Sequence, residues 1–118
     1  MIFEIQTYEH LHTALDGLCR FLGEHGASEH GVFHSRLAVT ELVGNVFRHA
    51  KATAKLQLSI DGEFITVDVY SSVRTLPPKQ STCSNVYEEH GRGLFLVDSV
   101  CERRIVHQDG RVTVIIKK

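Results

Sequence analysis

The sequence predicts an α+β fold: a two-layer α/β sandwich whose mixed, mostly antiparallel sheet is covered on one face by three helices. Three observations predict it. Segments of apolar alternation come in pairs joined by Asp-Gly turns, at Asp61-Gly62 and Asp109-Gly110, as hairpins do. Segments of helical periodicity lie between those pairs of strands rather than between single ones. The central helical segment is apolar over most of its circumference, which requires burial against other elements.

The elements follow in order. Ile2-Phe3-Glu4-Ile5-Gln6 alternates as a short strand. Thr7 can cap a helix in which Leu11, Leu15, Leu18 and Leu22 form an apolar stripe, ending near Gly23 and Gly26. Ser28 is the N-cap of a second helix over about 30–50. At 100° per residue its Ala38, Val39, Leu42, Val43, Val46 and Phe47 share a broad arc, leaving Glu41, Gly44, Asn45 and Arg48 on a narrow polar one. Ala54, Leu56, Leu58 and Ile60 share one parity, and Phe64, Ile65, Val67 and Val69 form the returning strand. Residues 71–90 turn polar and irregular, with Pro77-Pro78 among them, and read as a mobile loop whose stretch 76–90 serves as a lid. Gly91-Arg92-Gly93 opens a third helix through Cys101, and two strands, Arg104 to His107 and Val112 to Ile116, complete the order.

Length and composition narrow the function classes. The chain has 118 residues, the length of one domain with one core, and no linker or internal repeat divides it. A net charge of -1, with no basic run longer than a pair, gives phosphate-backbone binding to nucleic acid little support. No apolar stretch reaches bilayer length, and the N-terminus lacks a secretory pattern, so a cytoplasmic protein without a membrane partner is expected. Cys19, Cys83 and Cys101 form no C-x-x-C pair and fit free thiols in a reducing compartment. The eight histidines are scattered, without zinc-site spacing.

Three local features carry chemistry. Glu41 and Asn45 lie four residues apart, on one face of the second helix. A carboxylate there can act as a general base, and an amide oxygen can ligate Mg²⁺ beside phosphate oxygens. Gly91-Arg92-Gly93-Leu94 sits at a helix start, where free N–H groups and the helix dipole favour an anion, although a loop-to-helix junction also uses glycine. The strand ending at Tyr70-Ser71-Ser72-Val73 leads straight into the long loop, as strands do at binding loops.

Together these features resemble the GHKL (histidine-kinase-like) ATPase superfamily, and more closely its small bacterial anti-sigma-factor serine kinases. Leu37 to Ala50, with its Glu41-x-x-x-Asn45, looks like that family's N-box helix. Gly91-Arg92-Gly93-Leu94-Phe95-Leu96-Val97 is similar to its second glycine box. The resemblance implies ATP and Mg as cofactors. It makes Glu41 the base that activates a partner's serine and Asn45 the residue that holds Mg²⁺ against the phosphates. Gly91, Arg92, Gly93 and Leu94 would close over the phosphates, with Arg48 and His49 flanking the pocket. The implied partners are a sigma factor and a serine-containing antagonist protein, and the implied assembly is a homodimer through the first strand and first helix.

The family's first glycine box, D-x-G-x-G, is replaced by Ser71, Val73 and Thr75. Serine stands where a carboxylate selects adenine, and the nearby Asp68, three residues earlier, faces the other side of the strand. Two readings follow. One is a kinase with altered nucleotide recognition at Ser71 and Thr75. The other is a non-catalytic module that acts by partner switching. An unrelated fold would instead leave the polar arc of the second helix facing solvent.

Overall fold

Thr7 and Ser28 start the two long helices as the sequence expects. The Thr7 hydroxyl accepts the His10 N–H at 3.1 Å, and the Ser28 hydroxyl accepts the Gly31 N–H at 3.0 Å. The computed structural model describes residues 1–73 and 89–118, the side chains of 89–92 excepted. Its elements are β1 (Ile2–Ile5), α1 (Tyr8–Glu24), α2 (Glu29–Asn45), a widened π-type turn (Val46–Ala50), β2 (Ala54–Asp61), β3 (Phe64–Ser71), α3 (Glu89–Val100), β4 (Arg103–Val106) and β5 (Val112–Lys117).

The strands form one five-stranded sheet in the order β1-β2-β3-β5-β4, and all four pairings are antiparallel. The first hairpin turns one residue later than its Asp-Gly pair suggests. Asp61 still pairs with Phe64, so Gly62-Glu63 makes the turn, with Gly62 at φ 63°. A positive φ at the first turn residue alone is the type II′ pattern, which glycine adopts without strain.

Period-two alternation then decides which face is dry. Leu56, Leu58, Ile65, Val67, Val114 and Ile116 are fully buried on one face of the sheet. Leu18, Leu22, Val39, Val43, Leu94 and Val97 are fully buried on the helices that cover it. Each such leucine or isoleucine contributes about 1.5–3 kcal/mol through burial. The opposite face carries Lys55, Gln57, Asp68, Tyr70 and Thr113 and has no helix over it among the described residues. At its C-terminal end α3 is tied to β4, where the buried Arg104 Nε donates to Asp98 Oδ1 at 2.6 Å.

Two expectations need correction. The third helix does not open at Gly91: it begins at Glu89, so Gly91 lies in its first turn and Gly93 in its second. The lid expected over 76–90 lies outside the described residues apart from Glu89 and His90, which are helical. Thr75 also lies outside them.

Candidate functional site

The polar arc of α2 is not turned to solvent. Asn45 is 8% exposed and Glu41 is half-buried. Both side chains press on α3. A Cβ placed on Gly93 would stand 2.7 Å from Glu41 Oε2 and 3.8 Å from Asn45 Oδ1. Gly93 is therefore needed for space: its missing side chain lets the second turn of α3 meet the acid and the amide. Leu94, the next residue, is fully buried in the core. Gly91 and Arg92 contribute helical backbone to the same first turns.

A second glycine shapes the other side of Asn45. Arg48 folds back along the helix so that its Nη1 lies 2.8 Å from where a Gly44 Cβ would be. From there its Nη2 donates to Asn45 Oδ1 at 3.2 Å. The π-type turn carries Arg48 just beyond Asn45 and ends at Lys51, at φ 51° in the left-handed region. Such widened turns recur at functional sites because they re-aim side chains. His49 is on the same turn and exposed. The Asn45 Nδ2, though buried, has no hydrogen-bond partner among the described residues. A buried amide donor left unmatched costs about 1–3 kcal/mol, and an anion is one acceptor that would meet it.

Mg²⁺ and ATP can be tested against these residues. A guanidinium only donates, so the Asn45 atom facing Arg48 must be the oxygen. That oxygen is the one atom of the amide able to ligate Mg²⁺, and a metal there would face a fixed cation at close range. The residues as arranged do not fit Mg²⁺ at Asn45. What the amide still offers is N–H, which suits an anion such as a phosphate.

Ser71 lies at the end of β3, opposite Ala54 and on the core-facing side. Its Oγ accepts the Val73 N–H at 3.1 Å and so closes its own turn. It lines a cavity of about 230 Å³ with Glu4, Thr53, Ala54, Lys55, Tyr70 and Ser72, not with Glu41 or Asn45. Val73, which replaces the box's first glycine, is 49% exposed.

Sequence reasoning gave Arg48 only a flanking place and missed a second polar cluster on the open sheet face. Asp68 is there, as parity required, and accepts the Thr113 hydroxyl proton across the β3–β5 pairing. Thr113 Oγ1 is also 2.8 Å from His107 Nε2, and Arg111 Nη2 lies 3.3 Å from His107 Nδ1. Arg111 Nη1 donates to the Tyr70 hydroxyl at 3.4 Å, and that phenol holds the guanidinium pKa above its ordinary value. Alternation alone placed Asp68 and Tyr70 on this face. Only the register shows that Thr113 sits opposite Asp68.

Among the described residues no group of three or more His, Cys, Asp or Glu could hold a metal, and no helix is long and apolar enough to cross a membrane. The histidine kinase-like ATPase domain is the family whose model matches this chain, over residues 6–118. No curated protein matches it.

Proposed function

Because the chain belongs to the histidine kinase-like ATPase domain family, we propose that it is a nucleotide-binding regulatory protein of the anti-sigma type, transferring a phosphoryl group from ATP to a serine of an antagonist partner. Domains of this family generally bind ATP and Mg. One observation carries the reading: Glu41 and Asn45 converge on Gly93, at the glycine-bearing start of α3, with the buried Asn45 amide unmatched.

In this reading Glu41 takes the proton of the partner's serine hydroxyl as its oxygen bonds to the γ-phosphorus. The bond from that phosphorus to the bridging oxygen breaks, and ADP leaves. Gly93 packs beside Glu41, which is half-buried. The partners would be a sigma factor and a serine-containing antagonist in the cytoplasm. The assembly would be a homodimer whose contacts include β1, an edge strand with Ile2 57% exposed.

A second reading keeps the shape and drops the chemistry, making the chain a non-catalytic partner-switching module. The Ser71 geometry favours it. Its hydroxyl is engaged with Val73 and stands where the family's adenine-reading carboxylate is expected.

Thermal melting and calorimetry with ATP and ADP separate the two. A ligand bound only to the native state at a hundred times its Kd adds about 2.7 kcal/mol to stability. A clear rise in Tm at millimolar nucleotide is expected. No rise for the natural chain removes the kinase reading. Ser71→Asp should then strengthen adenine-nucleotide binding by about tenfold, the worth of one charge-assisted hydrogen bond.

A further inference from the structure

We propose that this chain meets a polyphosphate with the Arg48 guanidinium seated at Asn45, where its relatives are expected to use a divalent cation. Its nucleotide would then be taken up as the free anion rather than as the magnesium complex. The inference rests on the nucleotide-binding reading above and adds the ionic form of the ligand.

Three observations converge. First, the guanidinium occupies the amide oxygen: Arg48 Nη2 donates to Asn45 Oδ1 at 3.2 Å. A metal at that oxygen would have to displace a cation or sit beside it, and like charges at such range repel strongly in a partly buried site. Second, the seat is built. Arg48 Nη1 lies 2.8 Å from the Cβ that any other residue would carry at position 44, so Gly44 is what lets the guanidinium lie against the helix. The π-type turn beginning at Val46 sets where the arginine leaves the backbone. Third, the amide is turned so that its unmatched group is a donor. Asn45 is 8% exposed, and its Nδ2 has no partner among the described residues. A phosphate oxygen only accepts, so it completes Nδ2, beside a guanidinium whose charge favours an anion. A hydrated metal would leave Nδ2 as it is.

Glu41 sets the limit on this seat. Its Oε2 stands 2.7 Å from the Cβ that Gly93 lacks, and the carboxylate would repel a phosphate brought near it. The guanidinium beside Asn45 offsets that repulsion.

The test is calorimetric titration of ATP, ADP and inorganic tripolyphosphate into the full chain, once in EDTA and once in excess magnesium. ATP and tripolyphosphate should bind in EDTA within about threefold of their affinity in magnesium. Arg48→Met, which keeps the stem and removes the charge, should weaken binding in EDTA by about tenfold or more, the worth of one charge-assisted contact. Nucleotide that binds only with magnesium overturns the inference and leaves the nucleotide-binding reading standing. Tripolyphosphate binding without ATP or ADP binding supports the phosphate seat and removes the nucleotide reading. Binding of none of the three under either condition overturns both. If Arg48→Met does not fold, the Asn45 side-chain amide of the natural protein reads the same point by NMR. Its resonance should move when tripolyphosphate is added in EDTA, and an unmoved resonance overturns the inference.

Discussion

The two polar clusters of this molecule lie on opposite sides of one sheet and are finished to different degrees. On the open face, Asp68, Thr113 and His107 each have a partner, in a chain that runs to Arg111. Proton counting fixes its direction. Thr113 has one hydroxyl proton and gives it to Asp68, so His107 must donate from Nε2 and accept from Arg111 at Nδ1. On the helix-covered side, Asn45 has its oxygen matched by Arg48 and its Nδ2 matched by none of the described residues. The first cluster completes itself and serves the sheet. The second is complete only with something added. The contrast is not absolute, since Arg111 Nε also has no partner among the described residues, but that side chain is 33% exposed.

Substitution should separate the two. Thr113→Val keeps the shape and removes the hydroxyl that links Asp68 to His107, leaving an acceptor and a donor unmatched at an 8% exposed position. A loss of about 1–3 kcal/mol in denaturant unfolding is expected. A loss near zero would mean that water replaces the hydroxyl and that the cluster does not support the sheet.

Asn45→Leu should cost less, under about 1 kcal/mol in either direction. It deletes a modest hydrogen bond to Arg48 but also removes a buried amide donor that has no partner. If this change destabilises as much as Thr113→Val, Asn45 is a structural residue and the contrast between the clusters fails. If it is mild while nucleotide binding is lost, the contrast sharpens into one of purpose.

The difference in legibility between the two regions has the same origin. Periodicity made α1, α2 and the strand faces readable, because burial of Leu18, Leu56 or Ile65 enforces a repeat. It also placed Glu41 and Asn45 on one arc, since i, i+4 spacing is a property of the helix alone. The start of α3 was misread because glycine usually signals a boundary, whereas Gly93 here makes room for a neighbouring helix. The Arg48 seat was not readable because it depends on a π-type turn, and no hydrophobic period encodes that. The Asp68–Thr113 contact needed the β3–β5 register, which joins residues far apart in the sequence.

The smallest expected effect concerns the turn that carries Arg111 into its cluster. Asp109 Oδ1 accepts the Arg111 N–H at 2.9 Å, and this bond is the main reason its carboxyl pKa lies below the ordinary 3.8. Burial opposes this shift, and the charge of Arg111 adds to it. A carboxyl whose folded-state pKa is depressed adds stability that is present above its unfolded value and is lost as pH falls through the folded one. Asp109 is fully exposed, so the effect should be local. An NMR titration should show the Arg111 amide resonance moving with a midpoint below 3.8, while strand amides distant from the turn hold still. A midpoint at or above 3.8 would mean that Asp109 does not hold the turn. The open-face cluster would then owe its arrangement to the sheet register alone, and Arg111 would be placed by Tyr70 and His107 rather than by its own turn.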